Sequence, residues 1–516
     1  MSKRFYITTA IDYVNGEPHL GHAYEKVISD VIARSRRSLG EEVFFLTGLD
    51  EHGQKVQQAA QAEGKSPQKY CDDLAVIWKR FATKINLSID DFIRTSEPRH
   101  QAVVQGILSK LHEDGHIYKG QYKGFYSTRQ ETFLTDKDRL PDGSFDPIYG
   151  EVTELVEDNY YFRLQRHQDW LIEFLEANPD FVQPATRRNE VLGLLKNNVL
   201  EDLCITRPAA RLNWGIPVPF DNTYVTYVWF DALLNYISAA AAHNDPVTKP
   251  IQRGAGAAGP ALELWPADVH VIGKDILKFH AVFWPIILKA MGQPLPKKIL
   301  AHGWWSKDGQ RISKSAGIVV DPVAVIDEWG LDAFRYYVVR ELDIGSDGNW
   351  TDSGFRERYN ADLAKGLGNL ISRSLTMLKR YRNGIVPKRS DELAPEVEKA
   401  VGTVERNLRG YELQTALENI WALMKRADQY VEKTAPFKLA KDESQAGRLD
   451  EVLYNLAEVC RVSAVLLCPF IPETAGKIYG QLGLKDLPER FSSAKWGGLP
   501  AGHTIGEVSA LFPRRE

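Results

Sequence analysis

Pro18-His19-Leu20-Gly21-His22 stands between an apolar run and an unbroken helical pattern, and the rest of the chain falls into place around it. Ahead of it, Phe5-Tyr6-Ile7-Thr8-Thr9-Ala10-Ile11 predicts a buried strand. Behind it, Ala23-Tyr24-Glu25-Lys26-Val27-Ile28-Ser29-Asp30-Val31-Ile32-Ala33 places Val27, Val31 and Ile32 at helical spacing with no Pro or Gly. A strand turning into a helix is where an open α/β sheet binds ligands, and free backbone N–H groups and the helix dipole there favour an anion. Pro18 suits an extended approach to the turn. Gly21 lets backbone come close to a phosphate. His19 and His22, three apart, fall on one face of the first turn, where two imidazoles can donate to phosphate oxygens as charge develops.

The 516 residues allow two to four domains and a sizeable core. No run of about 18 apolar residues predicts a membrane span, and the N-terminus has no signal-peptide pattern. Cys71, Cys204, Cys460 and Cys468 are scattered without a Cys-x-x-Cys pair. That suits a reducing cytoplasm and argues against a Cys-based zinc site, so no bound metal is expected. The net charge is −4, so nucleic-acid binding has to come from local patches.

Along the chain, a second buried strand is expected at 42–47, ending in Gly48-Leu49-Asp50-Glu51-His52-Gly53. Asp50 there could bind an ammonium group or cap a helix. Helices follow at about 54–62, 66–81 and 99–114; Gly64-Lys65-Ser66 lacks the earlier glycine of a phosphate loop and is a helix end. From 117 to 220 aromatics and charges mix, with a helical piece at 167–177, which predicts an insertion. Tyr224-Val225-Thr226-Tyr227-Val228-Trp229-Phe230-Asp231 returns to strand before a helix through Ala232, Leu233 and Tyr236. Gly254-Ala255-Gly256-Ala257-Ala258-Gly259 matches a dinucleotide string, but the prolines around it predict a surface loop. Asp268-Val269-His270-Val271-Ile272 is a buried strand, and Gly273-Lys274-Asp275 opens a helix through Ile276, Phe279 and His280 to about 290. Asp275 could bond ribose hydroxyls or cap that helix. A strand at 299–305 leads to a loop carrying Arg311-Ile312-Ser313-Lys314-Ser315.

After Trp350 the pattern is helical throughout. In 362–378, Leu363, Leu367, Leu370, Ile371, Ser374 and Leu378 share one sector, while Asn369, Arg373 and Arg380 share another. The surroundings are basic, which suits either a solvated face or RNA. Helices at 416–433 and 451–467 flank a break at Thr434-Ala435-Pro436-Phe437, whose aromatic is core or a stacking platform. The expected architecture is α/β, a doubly wound parallel-sheet, Rossmann-like domain with an inserted connective domain, followed by an all-α helical bundle.

The His19–His22 and Arg311–Ser315 stretches resemble the two signatures of class I aminoacyl-tRNA synthetases, with Arg311-Ile312 where Lys-Met is usual. Ala10-Ile11-Asp12-Tyr13, Tyr227-Val228-Trp229-Phe230-Asp231-Ala232, Ile272-Gly273-Lys274-Asp275-Ile276, Asn369-Leu370-Ile371-Ser372-Arg373 and Ala435-Pro436-Phe437 extend the resemblance to the methionyl-tRNA synthetase family over nearly the whole chain. The resemblance implies ligation of L-methionine to tRNA(Met) through methionyl-adenylate, serving initiation and elongation of protein synthesis, with ATP and Mg²⁺. It implies catalytic roles for His19, His22, Arg311 and Lys314, and ATP contacts from Gly21, Gly273 and Asp275 besides. It implies a methionine pocket of Ala10, Ile11, Tyr13, Trp229, Ala232, Leu233, Tyr236, Ile276 and His280, with Asp50 on the α-ammonium. Tyr236 and His280 would reach the thioether sulphur. Asn369 and Arg373 would read the CAU anticodon and Phe437, where Trp is usual, would stack on it.

The implied organisation is catalytic halves at 1–116 and 223–300, a connective insertion at 117–222, a stem-contact region at 301–352 and an anticodon-binding bundle at 353–516. The family's insertion often holds zinc on Cys-rich knuckles; with no cysteine between Cys71 and Cys204, none is expected here. Nor is there room after Arg515 for the appended tRNA-binding domain of dimeric members, so a cytoplasmic monomer is expected. Isoleucyl, leucyl and valyl relatives would need a far larger editing insertion, and a cysteinyl one a zinc site.

Overall fold

The computed structural model describes residues 3–14, 16–127, 129, 132–134, 136–244, 264–312, 318–487 and 490–515. The glycine string at 254–259 and Ser313-Lys314-Ser315 of the second signature lie outside the described residues.

A parallel sheet carries the catalytic half. Arg4–Thr9 lies between Glu42–Asp50 and Val269–Gly273; Ile299–His302 and then Val182–Gln183 continue beyond the latter, and Asp91–Arg94 pairs the outer side of Glu42–Asp50. The chain winds one way from Arg4–Thr9 and the other way from Val269–Gly273, so a crevice opens past the carboxyl ends of these two neighbours. The central strands are buried along most of their length, which is why they are apolar runs without alternation.

The first strand differs from its expected 5–11 span in a way that matters. It stops at Thr9 and resumes as Asp12–Tyr13 against the same neighbour. Thr8 faces Leu46 and Asp12 faces Leu49, so the first strand carries one extra residue, a bulge at Ala10-Ile11.

The Leu20–Ser38 helix is buried on nearly every side. One face meets the sheet and the other meets the helical half, and a single apolar core runs from Phe5 and Val27 to Leu417 and Leu456. A second core on the opposite sheet face joins the Pro98–Glu113, Asn235–Asn244 and Trp284–Ala290 helices to the insertion. Buried Arg335 fastens the halves. It donates to Asp30 Oδ2 at 2.7 Å, to the carbonyl of Ile85 at 3.1 Å and to those of Phe470 and Pro469 at 2.9 and 3.2 Å.

The insertion is a four-stranded antiparallel sheet dominated by Ile117–Ser127 and Val152–Phe162. It is less separate than its composition predicts, because Val182–Gln183 returns to the edge of the parallel sheet and the Ala185–Asn197 helix follows. The expected strand at 224–231 is corrected too. Only Tyr224–Thr226 is strand, and the helix begins at Val228. Val228-Trp229-Phe230 is β-prone by composition, yet packing turns it into a helix with Val228 buried and Phe230 in the second core. The helix expected from 276 is a 3₁₀ turn at Lys274–Ile276, a π-turn at Phe279–Phe283 and an α-helix at Trp284–Ala290. The 362–378 helix likewise opens in a π-stretch at Tyr359–Gly368 before the regular Asn369–Arg382.

Beyond the sheet, Trp305–Lys307 pairs with Gly348–Trp350 and with Gln310–Arg311. The C-terminal bundle surrounds the Ala446–Leu467 helix, which is buried over most of its length. No described helix is long and apolar enough to cross a membrane.

Candidate active site

The crevice past the first strand and Val269–Gly273 holds a cavity of about 950 Å³. Ala10, Ile11, Tyr13, Asp50, Trp229, Ala232, Leu233, Tyr236, Ile276 and His280 line it, and so do His19, Gly21, His22, Gly273, Asp275 and Arg311. Five separate stretches of chain are thus brought to one place. Lys314 lies outside the described residues.

His19 caps the Leu20–Ser38 helix with its own ring: the Gly21 N–H donates to its Nδ1 at 3.1 Å. The His19 N–H donates to His22 Nδ1 at 3.2 Å, so two imidazoles form a reciprocal capping pair. The rings stack with centroids 3.7 Å apart. This corrects the expectation that free amides of the turn would cradle an anion, since the His19 and Gly21 amides already have acceptors. With both Nδ1 atoms accepting, the neutral rings carry their protons on Nε2, and Nε2–H is the donor each can offer a phosphate. Gly21 is needed for the ring as well as for any ligand: a Cβ there would come within 3.0 Å of His19 Cε1 and 3.2 Å of Nδ1.

Along one wall of the cavity, the bulge presents Ala10 and Ile11, and Tyr13 pairs with Asp50 across the strands. Asp50 is buried and caps no helix; Gly53 is the N-cap of Gln54–Ala62. Trp229 stacks face to face on Phe279, centroids 3.6 Å apart and 9° from parallel. The Tyr236 hydroxyl and His280 Nε2 are 2.7 Å apart, and His280 Nδ1 is 3.0 Å from the Ile276 carbonyl. That carbonyl can only accept, so Nδ1 carries the proton and Nε2 accepts from the hydroxyl. Burial pushes the His280 pKa down to about 4, keeping the ring neutral. The two groups expected to reach the sulphur therefore satisfy each other first, and Tyr236 turns hydroxyl lone pairs rather than a proton to the cavity.

Elsewhere along the cavity, Asp275 is exposed and caps no helix; its Oδ1 accepts from Trp304 Nε1 at 3.1 Å. A Cβ on Gly273 would fall 2.5 Å from that oxygen, so the glycine makes room for the carboxylate. Lys274 Nζ and the Arg311 guanidinium lie 4.4 and 4.8 Å from the Trp304 ring centre.

Sequence reasoning missed several groups here. Lys26 is buried with Asp12 at 2.9 Å and Glu25 at 3.1 Å. Glu25 Oε2 is 3.1 Å from His302 Nε2. Two carboxylates share one ammonium and split. Burial pushes Asp12 up to about 7, while for Glu25 the Lys26 ammonium and the His302 hydrogen bond outweigh burial and hold it below the usual range. In the Val228–Leu233 helix, Asp231 is fully buried between His52 Nδ1 at 2.5 Å and His100 Nε2 at 2.6 Å. Charged residues inside otherwise apolar helix patterns were the available signal; the pairing of Glu25 with His302 and of Asp231 with His52 and His100, more than a hundred residues apart, was not visible.

Asn369 is exposed and Arg373 half-buried on the Asn369–Arg382 helix, with the expected apolar sector buried behind them. Phe437 is 47% exposed in the short Pro436–Leu439 helix, after left-handed Ala435. Both helices pack on Ala446–Leu467. Among the described residues no group of His, Cys, Asp and Glu is placed to hold a metal ion.

The family model described as tRNA synthetases class I (M) matches residues 5–142 and 145–375, and the anticodon binding domain of methionyl tRNA ligase matches 382–515. The chain belongs to the methionyl class of class I tRNA synthetases. This synthetase is 42% identical over 522 residues to the methionine–tRNA ligase of Caldanaerobacter subterraneus subsp. tengcongensis, covering all of this chain and 79% of that one. It is also 42% identical over 526 residues to that of Rickettsia felis, covering 100% and 99%. Among solved structures, Mycobacterium tuberculosis methionyl-tRNA synthetase in complex with methionyl-adenylate superposes with a TM-score of 0.90 at 38% identity, over 99% of this chain and 100% of that one. The two matched models meet between 375 and 382, so Asn369 and Arg373 fall at the end of the synthetase model and Phe437 inside the anticodon domain.

Proposed function

We infer that the cavity has an amino-acid half and a nucleotide half that meet at the start of the Leu20–Ser38 helix, and that adenylate forms where they meet. The chain is a methionine–tRNA ligase, which activates L-methionine with ATP and passes it to tRNA. The observation that carries the site assignment is that the apolar wall of Ile11, Trp229, Leu233 and Ile276 and the histidine pair share one cavity.

Asp50 takes the α-ammonium, and the wall encloses an unbranched thioether. The methionine carboxylate oxygen attacks the α-phosphorus in line, a new P–O bond forms, and the bond to the bridging oxygen breaks to release pyrophosphate. His19 and His22, through Nε2–H, and Arg311 and Lys314 stabilise the charge that develops on the leaving group. Asp275 holds ribose hydroxyls, and Mg²⁺ comes as part of the ATP substrate. In the second step a terminal ribose hydroxyl of tRNA(Met) attacks the carbonyl, and AMP leaves with the bonding electrons. Asn369, Arg373 and Phe437 read the CAU anticodon. The protein works as a cytoplasmic monomer without structural zinc. No covalent protein nucleophile is needed; catalysis is alignment and charge neutralisation.

Amino-acid-dependent ATP–pyrophosphate exchange without tRNA, run with each of the twenty amino acids, tests the site. Exchange with methionine alone is expected. Exchange with a different amino acid would overturn the pocket assignment.

A further inference from the structure

We propose that Lys26 is a positioning residue for adenylate formation, its buried ammonium clamping the bulged end of the amino-acid-side strand to the phosphate-side helix. This rests on the site reading above, in which Ala10, Ile11 and Tyr13 hold methionine and His19 and His22 face the phosphates.

The Lys26 side chain is 3% exposed. Its Nζ lies 3.1 Å from Thr9 Oγ1, 3.1 Å from the Ala10 carbonyl, 3.1 Å from Glu25 Oε1 and 2.9 Å from Asp12 Oδ2. Three of these four oxygens belong to residues 9, 10 and 12, the segment that bulges. The extra residue breaks the register with Glu42–Asp50 and turns the Ala10 carbonyl towards the helix, where the ammonium donates to it. Lys26 sits one helical turn after His22, and His22 Nε2 is 4.0 Å from the other oxygen of Asp12. Glu25 carries the tie further. Through His302, whose Nδ1 is 2.8 Å from the Gly303 carbonyl, it reaches the end of Ile299–His302. One ammonium thus joins the strand that presents the amino acid, the helix that presents the histidines and, by way of Glu25, a third strand end.

Packing alone does not call for this arrangement. A buried ammonium is costly unless fully bonded, and an apolar side chain would fill the space between Ala23 and Val27 and the sheet at lower cost. The cation does what an apolar residue could not: it fixes a carbonyl and a carboxylate on one element relative to a helix start on another. In-line attack on phosphorus depends on that relation, because a displacement of about 1 Å between reacting groups can cost roughly 10²-fold.

The test is single-turnover formation of methionyl-adenylate by quench-flow, at saturating methionine and ATP with Mg²⁺, together with the methionine Kd by calorimetry. The variants are Lys26→Met and Lys26→Met/Asp12→Asn. The second also neutralises Asp12, which the first leaves uncompensated, while Glu25 keeps its contact with His302, so the double variant keeps a folded protein to measure. The first-order rate constant is independent of how much enzyme is folded, and the amplitude reports that fraction. Expected is a rate constant about 10²-fold below wild type in every variant that gives a measurable amplitude, with methionine Kd within about threefold. A normal rate constant with only a reduced amplitude would make Lys26 purely structural and overturn the proposal. So would a Kd weakened in proportion to the rate, because the ammonium would then shape the pocket rather than the alignment. A wild-type chain that forms no methionyl-adenylate would overturn the site reading, and the proposal with it.

Discussion

Asp231→Asn isolates one buried charge without changing shape. Asp231 lies in the Val228–Leu233 helix, which carries Trp229, Ala232 and Leu233 into the cavity. Its two oxygens take hydrogen bonds from His52 and His100 at 2.5 and 2.6 Å, and all three side chains are buried. A hydrogen bond to an ionised group contributes about 1.5–3 kcal/mol, against about 0.5–1.5 for a neutral pair. Two such bonds weaken in the variant, and the amide has one oxygen where the carboxylate had two. The expected loss of local stability is about 2–3 kcal/mol. That corresponds to amide hydrogen exchange about 30- to 150-fold faster.

Hydrogen-exchange mass spectrometry on peptides covering 224–240 measures it, with the Asn369–Arg382 helix as internal control. The pH dependence has a definite sign. Burial pushes the Asp231 carboxyl up, but the imidazoles of His52 and His100 more than offset it, so its pKa lies below the ordinary value. The stabilisation is therefore complete above the unfolded carboxyl pKa of about 3.9 and is lost only as pH falls through the lower folded value. Exchange of 224–240 within about twofold of wild type at neutral pH would refute the reasoning. A difference that shrinks well above the carboxylate range would refute it too.

Trp229→Ala removes the partner of Phe279 and one wall of the cavity, and is expected to raise the methionine KM about 10- to 100-fold, with kcat of exchange little changed. His22→Ala should lower the single-turnover adenylation rate about 10²–10³-fold, the size of one lost electrostatic donor, without a matching change in methionine Kd. Arg335→Met leaves three carbonyls without their donor and should cost about 3–5 kcal/mol, read as a lower urea midpoint; an unchanged midpoint would remove Arg335 as the fastening between the halves. Phe437→Ala should raise the tRNA KM of aminoacylation about 5- to 150-fold, as a stacked base contributes about 1–3 kcal/mol, and leave tRNA-independent exchange untouched.

Local patterning placed the body of the Leu20–Ser38, Gln54–Ala62 and Ala446–Leu467 helices, because apolar spacing and the absence of internal prolines are local properties, although the last begins five residues before the expected 451. The cavity residues were legible for a different reason. His19 and His22 at a helix start and Asp50 at a strand end stand out by their chemistry at those positions, whereas the apolar wall of Ile11, Trp229, Leu233 and Ile276 is expected only from the family resemblance. Local patterning and the resemblance together therefore gave the order of elements and the groups that line the cavity. Tertiary structure decided which backbone and charge partners those groups have. The bulge at Ala10-Ile11 exists only relative to the register of Glu42–Asp50. The helix at Val228 overrides β-prone residues because Val228 and Phe230 find a core there. Asp231 and Arg335 are tolerable in the interior only because their partners arrive from distant parts of the chain, and Lys26 because the bulge turns the Ala10 carbonyl and Asp12 onto its ammonium. Burial energies depend on those meetings in space, which spacing along the sequence does not reveal.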